Sequence, residues 1–150
     1  MKPEDTKLFG KLADGDLLGL LMYLEGRGEP IEGRIAIANV VRNRVNKSES
    51  KSYFAIITAK NQFSCFNSND PNYGIGFNMA TDMFSGKVPE DLTRKFQECR
   101  WIAMGIVNNS ILDNTKGALY YYNPKVCKPY WAKEMLITTI IGHHNFLKEV

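Results

Sequence analysis

The chain of 150 residues predicts an α+β domain that is mainly helical and carries a small β element. Three observations lead there. Apolar residues recur at helical spacing along much of the chain, clusters of Gly, Pro, Asn and Asp interrupt those runs, and two β-favouring stretches fall in the last third. At this length one apolar core suffices, and no repeat or low-complexity linker divides the sequence, so residues 1–150 are expected to form a single domain.

The first helix is expected to open at Asp14-Gly15-Asp16, where an aspartate can accept from the free N–H groups of the first turn. Its body, Leu17 to Leu24, is apolar almost all round, which predicts a buried helix. It ends at Glu25-Gly26-Arg27-Gly28, because two glycines so close together favour a turn. A second helix follows at once with Pro30 in its first turn. Ile31, Ile35, Ala38, Val41 and Val45 recur at helical spacing, while Arg34, Arg42 and Arg44 fall largely on other faces. Lys47 to Ser52 reads as an exposed loop, followed by a short helix from about Tyr53 to Lys60. Asn67 to Gly76, dense in Asn, Asp, Pro and Gly, reads as a long irregular loop.

The clearest helix opens at Pro89-Glu90-Asp91 and runs to about Val107. Leu92, Phe96, Cys99, Ala103 and Ile106 form one apolar stripe, and the proline and acids suit the positive end of the helix dipole. Gly117 to Pro124 is read as a short strand because its tyrosines favour extended backbone. Ile137 to Ile141 is a second β-favouring run, bounded by Gly142.

Composition narrows the function classes. A hydrophobic share of 44% and a charged share of 23% are ordinary for a soluble globular protein. The net charge of +3 suits an anionic polymer but is far from the concentrated basic stripe of a nucleic-acid binder. No stretch approaches the roughly 20 apolar residues of a membrane-spanning helix. The amino terminus carries acids and no long apolar core, so no secretory signal is expected. Cys65, Cys99 and Cys127 are widely spaced, with no Cys-x-x-Cys pair and no histidine at zinc spacing. They are read as buried free thiols, with one disulfide as the alternative, and neither a metal nor a cofactor is expected.

Glu25 is the first candidate for chemistry. It follows a mostly apolar helix and precedes a glycine-rich turn. Burial of a carboxyl disfavours its charged form, so a glutamate there could hold its proton near neutral pH and serve as a general acid. The plainer alternative is a surface glutamate paired with Arg27. Aromatic and amide residues supply a second hint, because sugars are held by polar groups beside flat apolar rings. Gln62, Phe63, Asn67, Tyr120, Tyr121, Tyr122, Asn123, Tyr130 and Trp131 lie in two loop-rich stretches where binding residues tend to sit, although each could equally cover a small core. His143 and His144 are adjacent, so they are not expected to face one site easily. No Gly-x-Ser-x-Gly elbow is present, and Cys65 precedes no convincing base.

Five motifs, in order, resemble those of the spore-cortex-lytic cell-wall hydrolases of the SleB type, which include phage and bacterial wall-degrading enzymes. The strongest is Leu24-Glu25-Gly26-Arg27-Gly28-Glu29-Pro30, continued by the helix from Gly33 that ends in Asn43-Arg44-Val45. It is similar to the family's Gly-Glu-Ala-Arg-Gly-Glu motif and its following helix. The others are Gln62-Phe63-Ser64-Cys65-Phe66 with Asn69-Asp70-Pro71-Asn72; Asp113 to Ala118 with Tyr121, Asn123 and Pro124; Trp131-Ala132; and Ile141-Gly142-His143-His144-Asn145-Phe146. The resemblance spans about Leu17 to Leu147. Leu24 stands where the family has glycine, Gly26 where it has alanine or serine, and Asn114 where proline is common.

The resemblance implies a lysozyme-like, lytic-transglycosylase-like fold and a single catalytic domain. It implies cleavage of the peptidoglycan bond between N-acetylmuramic acid and N-acetylglucosamine, with Glu25 as acid and then base and 1,6-anhydro-muramic ends as product. Glu29, Gln62, Phe63, Ser64, Tyr121, Asn123, Trp131 and His144 are the expected substrate-binding residues. A hydrolytic muramidase in which Glu29 or Glu32 assists a water is the nearest rival; Glu29 could also be only a helix-start acid favoured by the dipole. A non-catalytic wall-binding or virion structural protein is the rival of another class. The partner is expected to be bacterial peptidoglycan, with no nucleic acid and no membrane insertion. The expected setting is a monomeric phage lysin released through a holin pore, or a virion-associated enzyme, made in the cytoplasm and acting on the wall.

Overall fold

The computed structural model describes residues 1–26, 28–87 and 90–150, with the side chains of 90–93 set aside. Arg27, the alternative partner for Glu25, lies outside the described residues, as do Pro89 and the side chain of Leu92 at the start of the last predicted helix. Among the described residues six α-helices precede a three-stranded sheet: α1 (Pro3–Phe9), α2 (Asp14–Gly26), α3 (Ile31–Lys47), α4 (Tyr53–Ile57), α5 (Pro71–Phe84), α6 (Glu90–Val107), β1 (Tyr120–Tyr122), β2 (Met135–Ile141) and β3 (His144–Glu149). Short 3-10 turns occupy Ser64–Phe66 and Tyr130–Glu134.

Helix α2 is the axis of the helical body. Leu17, Leu18 and every residue from Leu20 to Leu24 are buried, as an all-round apolar helix must be. It packs on α3, α4, α5 and α6. A Cβ at Gly19 would lie 3.0 Å from the Arg100 backbone, so a glycine lets α6 approach closely. The predicted stripe on α6 points inward: Phe96, Cys99, Ala103 and Ile106 are all buried.

The arginines of α3 correct the expectation of outlying charged faces. Arg34 and Arg42 are buried. Arg34 pairs with Glu98 at 2.7 Å. Arg42 donates to the carbonyls of Ile106 at 3.5 Å and Ile111 at 2.8 Å, so a cation meets the C-terminal end of α6. Periodicity assigns faces by polarity and cannot anticipate that a neighbour's unpaired carbonyls will draw a guanidinium inward.

Three elements were not expected. Helix α1 has proline at its first turn, with Glu4 and Asp5 beside it, and seats Phe9 edge-on against Phe66 at 5.4 Å. The loop expected over Asn67 to Gly76 is in large part helix α5. Asp70 accepts from the Asn72 N–H at 2.8 Å, Pro71 fixes the first turn, and Tyr73, Gly76, Met79 and Ala80 supply the buried face. The residues that mark a turn also mark a helix start, and here the start wins. The third is β3, which lies between the other two strands in the order β1-β3-β2.

The sheet is antiparallel, with Tyr121 opposite Phe146 and Ile141 opposite His144. A bulge between Ile137 and Thr139 turns the Thr138 hydroxyl to donate to Thr115 O at 2.6 Å. Phe146 and Ala118 then close over Ala36, Ile37 and Val40 of α3 as a second apolar cluster. The first two strand predictions therefore hold in place, while Leu136, Ile137 and Ile140 of β2 stay exposed.

The three departures from the family motifs have local causes. Buried Leu24 points at Gly76, where a Cβ would come within 2.8 Å of its Cδ1. A Cβ on Gly26 would lie 2.8 Å from Arg34 Cγ, so glycine clears the buried arginine. Asn114 donates to Glu32 O at 3.0 Å and accepts from Asn39 at 3.3 Å, bonds that proline lacks the side chain to make.

Candidate active site

Glu25 stands on the last turn of α2, half-buried. Glu29 N–H donates to Gly26 O at 2.9 Å, and α3 begins at Ile31, two residues further on. The Cys65 N–H in the 3-10 turn Ser64–Phe66 donates to Glu25 Oε1 at 3.4 Å. Two adjoining cavities of about 590 and 730 Å³ meet at this carboxylate, with Glu25, Ser64, Tyr121 and Trp131 lining both. The result is a groove that passes Glu25 on either side.

Every expected substrate-binding residue lies along it. Gln62 and Phe63 line one arm, and Glu29, Asn123 and His144 line the other. Phe63 touches the groove with little of its surface, because it is 4% exposed and packs in the main core. Asn67 belongs to a separate cavity, and Tyr130 is absent from both arms. Tyr120, one of the candidate aromatics, lines the Gln62 arm; Arg44 and His143 also line the groove and were not among the expected binding residues. For Arg44 a signal existed: it is the arginine of the Asn43-Arg44-Val45 motif.

The second acid of the groove is already engaged. Glu29 is buried; its Oε2 accepts from the His143 N–H at 3.2 Å, and its Oε1 lies 3.2 Å from His143 Nδ1. His144 Nδ1 approaches the same Oε1 at 2.9 Å, though without hydrogen-bond alignment. The adjacent histidines therefore do converge on one carboxylate, contrary to expectation. The reversal at Gly142, φ +57, lets both follow a path around Glu29, and a Cβ on Gly142 would collide with Glu29 Oε2. Burial holds the His144 imidazole below its ordinary value despite the Glu29 charge. Its ring stands edge-on to Tyr121 at 5.2 Å. Glu32, the other acid considered, is exposed and lines neither arm.

Burial, with the Glu25 charge added, pushes the Tyr121 phenol well above its usual value. The Cys65 thiol is likewise pushed far up by burial and by the charge of Glu25 and a hydrogen bond to it. Both groups are thus protonated at neutral pH, and Cys65 is no thiolate nucleophile. All three cysteines are free; Cys65 and Cys99 are buried as expected, whereas Cys127 is exposed.

A family model described as Cell Wall Hydrolase matches residues 28–147. The chain belongs to the cell wall hydrolase family. Family membership makes it an enzyme of bacterial peptidoglycan, a glycosidase of the SleB type. No curated protein matches this hydrolase. Two solved structures are similar to it. The catalytic domain of the germination-specific lytic transglycosylase SleB from Bacillus anthracis is 25% identical, with a TM-score of 0.60, over 92% of this chain and 98% of that one. The catalytic domain of the Bacillus cereus SleB protein is 26% identical, with a TM-score of 0.61, over 90% and 89%. The family match begins after Glu25, so the placing of Glu25 in the hydrolase's site rests on the groove itself.

The groove is held open from behind. The loop 111–119, which delivers Tyr120 and Tyr121, is tied to α3 by polar side chains. Asn43 Nδ2 donates to Asp113 Oδ2 at 2.9 Å and Ala118 O at 3.0 Å, and Arg44 Nε donates to Leu119 O at 2.7 Å. Asp113 also accepts from Thr115 N–H at 2.8 Å, Thr115 Oγ1 at 2.6 Å and Gly117 N–H at 2.9 Å. Burial pushes the Asp113 carboxyl up, but these hydrogen bonds together outweigh it and hold the group below its ordinary value.

Proposed function

We propose that this hydrolase is a lytic transglycosylase that cuts between N-acetylmuramic acid and N-acetylglucosamine and leaves 1,6-anhydro-muramic ends. One observation carries the reading. Of the two carboxylates lining the groove, Glu25 sits at the junction of its arms, while Glu29 is occupied by the His143 N–H and imidazole, with His144 Nδ1 2.9 Å away. A chain of sugars laid through both arms brings a glycosidic oxygen to Glu25 and to no second available acid among the described residues.

In the first step the protonated Glu25 carboxyl gives its proton to the leaving oxygen as the glycosidic bond breaks. Positive charge develops on the muramic ring, and the Glu25 carboxylate left behind faces it. The Cys65 N–H keeps that carboxylate oriented. In the second step Glu25 takes the proton of the muramic C6 hydroxyl, whose oxygen bonds to C1 and closes the anhydro ring. The nucleophile belongs to the substrate, so one carboxylate serves twice.

Trp131 and Tyr121 supply apolar faces for sugar rings, and Gln62, Ser64 and Asn123 supply donors and acceptors for hydroxyl and acetamido groups. The same reading extends to a monomeric phage lysin released through a holin pore, or to an enzyme carried by the virion. Mass spectrometry of digested peptidoglycan tests the chemistry. The anhydro product is about one water lighter than a reducing end. Digests holding only reducing ends would replace this reading with the hydrolytic muramidase.

A further inference from the structure

The groove has a side branch. A cavity of about 380 Å³ opens from the Gln62 arm and shares Arg44, Gln62 and Tyr120 with it. Arg44 stands at the fork, half-buried. Its guanidinium carbon lies 5.5 Å from the centres of both the Phe63 and Tyr120 rings, its Nε is fixed on Leu119 O, and its Nη1 donates to Gln62 Oε1 at 3.2 Å. Among the described residues no carboxylate pairs with it. The one acid lining the branch, Glu149, accepts from the Tyr120 hydroxyl at 3.0 Å and lies 3.8 Å from Lys47 Nζ. Arg44 is therefore a fixed cation at the fork of arm and branch, with the Phe63 and Tyr120 rings within cation–π distance.

A desolvated guanidinium without an acid is a recognition element for an incoming carboxylate, because its planar fork matches that group. The glycan backbone of peptidoglycan is N-acetylated and carries no charge there. Its carboxylates sit on the peptide stems, which branch from the muramic acid as this cavity branches from the groove. We propose that Arg44, with Gln62 and Tyr120, binds a carboxylate of the peptide stem, so that the enzyme selects glycan that still carries its stems. The inference rests on the groove being the glycan site, and it adds a specificity pocket to it.

The test compares three sets of glycan oligomers of equal length: with intact stems, with stem carboxylates amidated, and stripped of stems with the lactyl carboxyl so exposed amidated. Wild type is expected to lose about tenfold or more in kcat/KM from the first set to the second and third. Arg44→Gln is expected to cleave all three at one lowered rate. Equal cleavage of all three by wild type, or discrimination retained by a folded Arg44→Gln, would overturn the proposal. If Arg44→Gln does not fold, the wild-type comparison decides alone. Binding of the same oligomers to Glu25→Gln separates the two readings: stem preference in binding upholds the pocket even if the bond cleaved is not the one proposed, and equal binding sinks it. Cleavage of all three sets without preference leaves the glycan reading standing and removes only the pocket.

Discussion

Asp113 carries a prediction that runs from a single carboxylate to the shape of the groove. Asp113→Ala deletes the acceptor for Asn43 Nδ2, the Thr115 N–H and hydroxyl, and the Gly117 N–H. At about 1 kcal/mol for each of these bonds, and with water replacing part of the loss at a half-exposed site, the cost is roughly 3 kcal/mol. For a chain of this length that corresponds to a fall in Tm of about 10 °C. The pH dependence has a definite sign. The folded-state carboxyl lies below its ordinary value, so its contribution is full above about pH 4 and is lost as pH falls through the folded value. Thermal unfolding of wild type and Asp113→Ala from pH 7 to pH 2 should show two curves that converge at the acid end. Tm values within about 2 °C at pH 7, or a gap that widens on acidification, would refute the argument. Because the loop delivers Tyr120 and Tyr121, the variant should also lose activity at temperatures where it remains folded.

Other outcomes follow from the same geometry. The His144 imidazole, followed by NMR in the folded protein, should titrate below 6.5, since burial outweighs the pull of Glu29. Protonating it then works against folding, so stability should decline as pH drops from about 6.5 through the folded value; a midpoint above 6.5 would contradict the burial argument. A thiol reagent should label Cys127 rapidly in the native protein, while Cys65 and Cys99 react only after unfolding. Rapid native labelling of Cys65 would mean that the Glu25 pocket is far more open than described.

Much of the helical body was legible because α2, α3 and α6 each carry an apolar pattern long enough to stand out. The misses have physical reasons. Helix α1 is short and depends on Phe9 finding Phe66. In α5 the cap Asp70-Pro71 looks like a turn, and the glycines that suggested a loop include Gly76, which leaves room for Leu24. Strand β3 begins with a histidine and an asparagine, which announce no strand; its centre, Phe146 and Leu147, becomes β through pairing with β1 and β2 on either side. The site was legible through its ordered motifs more than through any single residue. Glu25, Ser64, Tyr121 and Trp131 lie as many as 106 positions apart in the sequence, and no periodicity brings them together. In the sequence Arg44 is a charge off the apolar face and a motif residue; the fold is what brings the Phe63 and Tyr120 rings within 5.5 Å of it.

Glu25 is the one carboxylate proposed to serve the reaction. Glu25→Gln keeps the side chain's size and its place on α2 but removes the transferable proton. Release of soluble fragments from purified peptidoglycan should fall at least about 10³-fold, while Tm and the circular dichroism spectrum stay those of wild type. Fragment release within about tenfold of wild type from the folded Glu25→Gln protein would contradict the central claim and move the acid elsewhere in the groove.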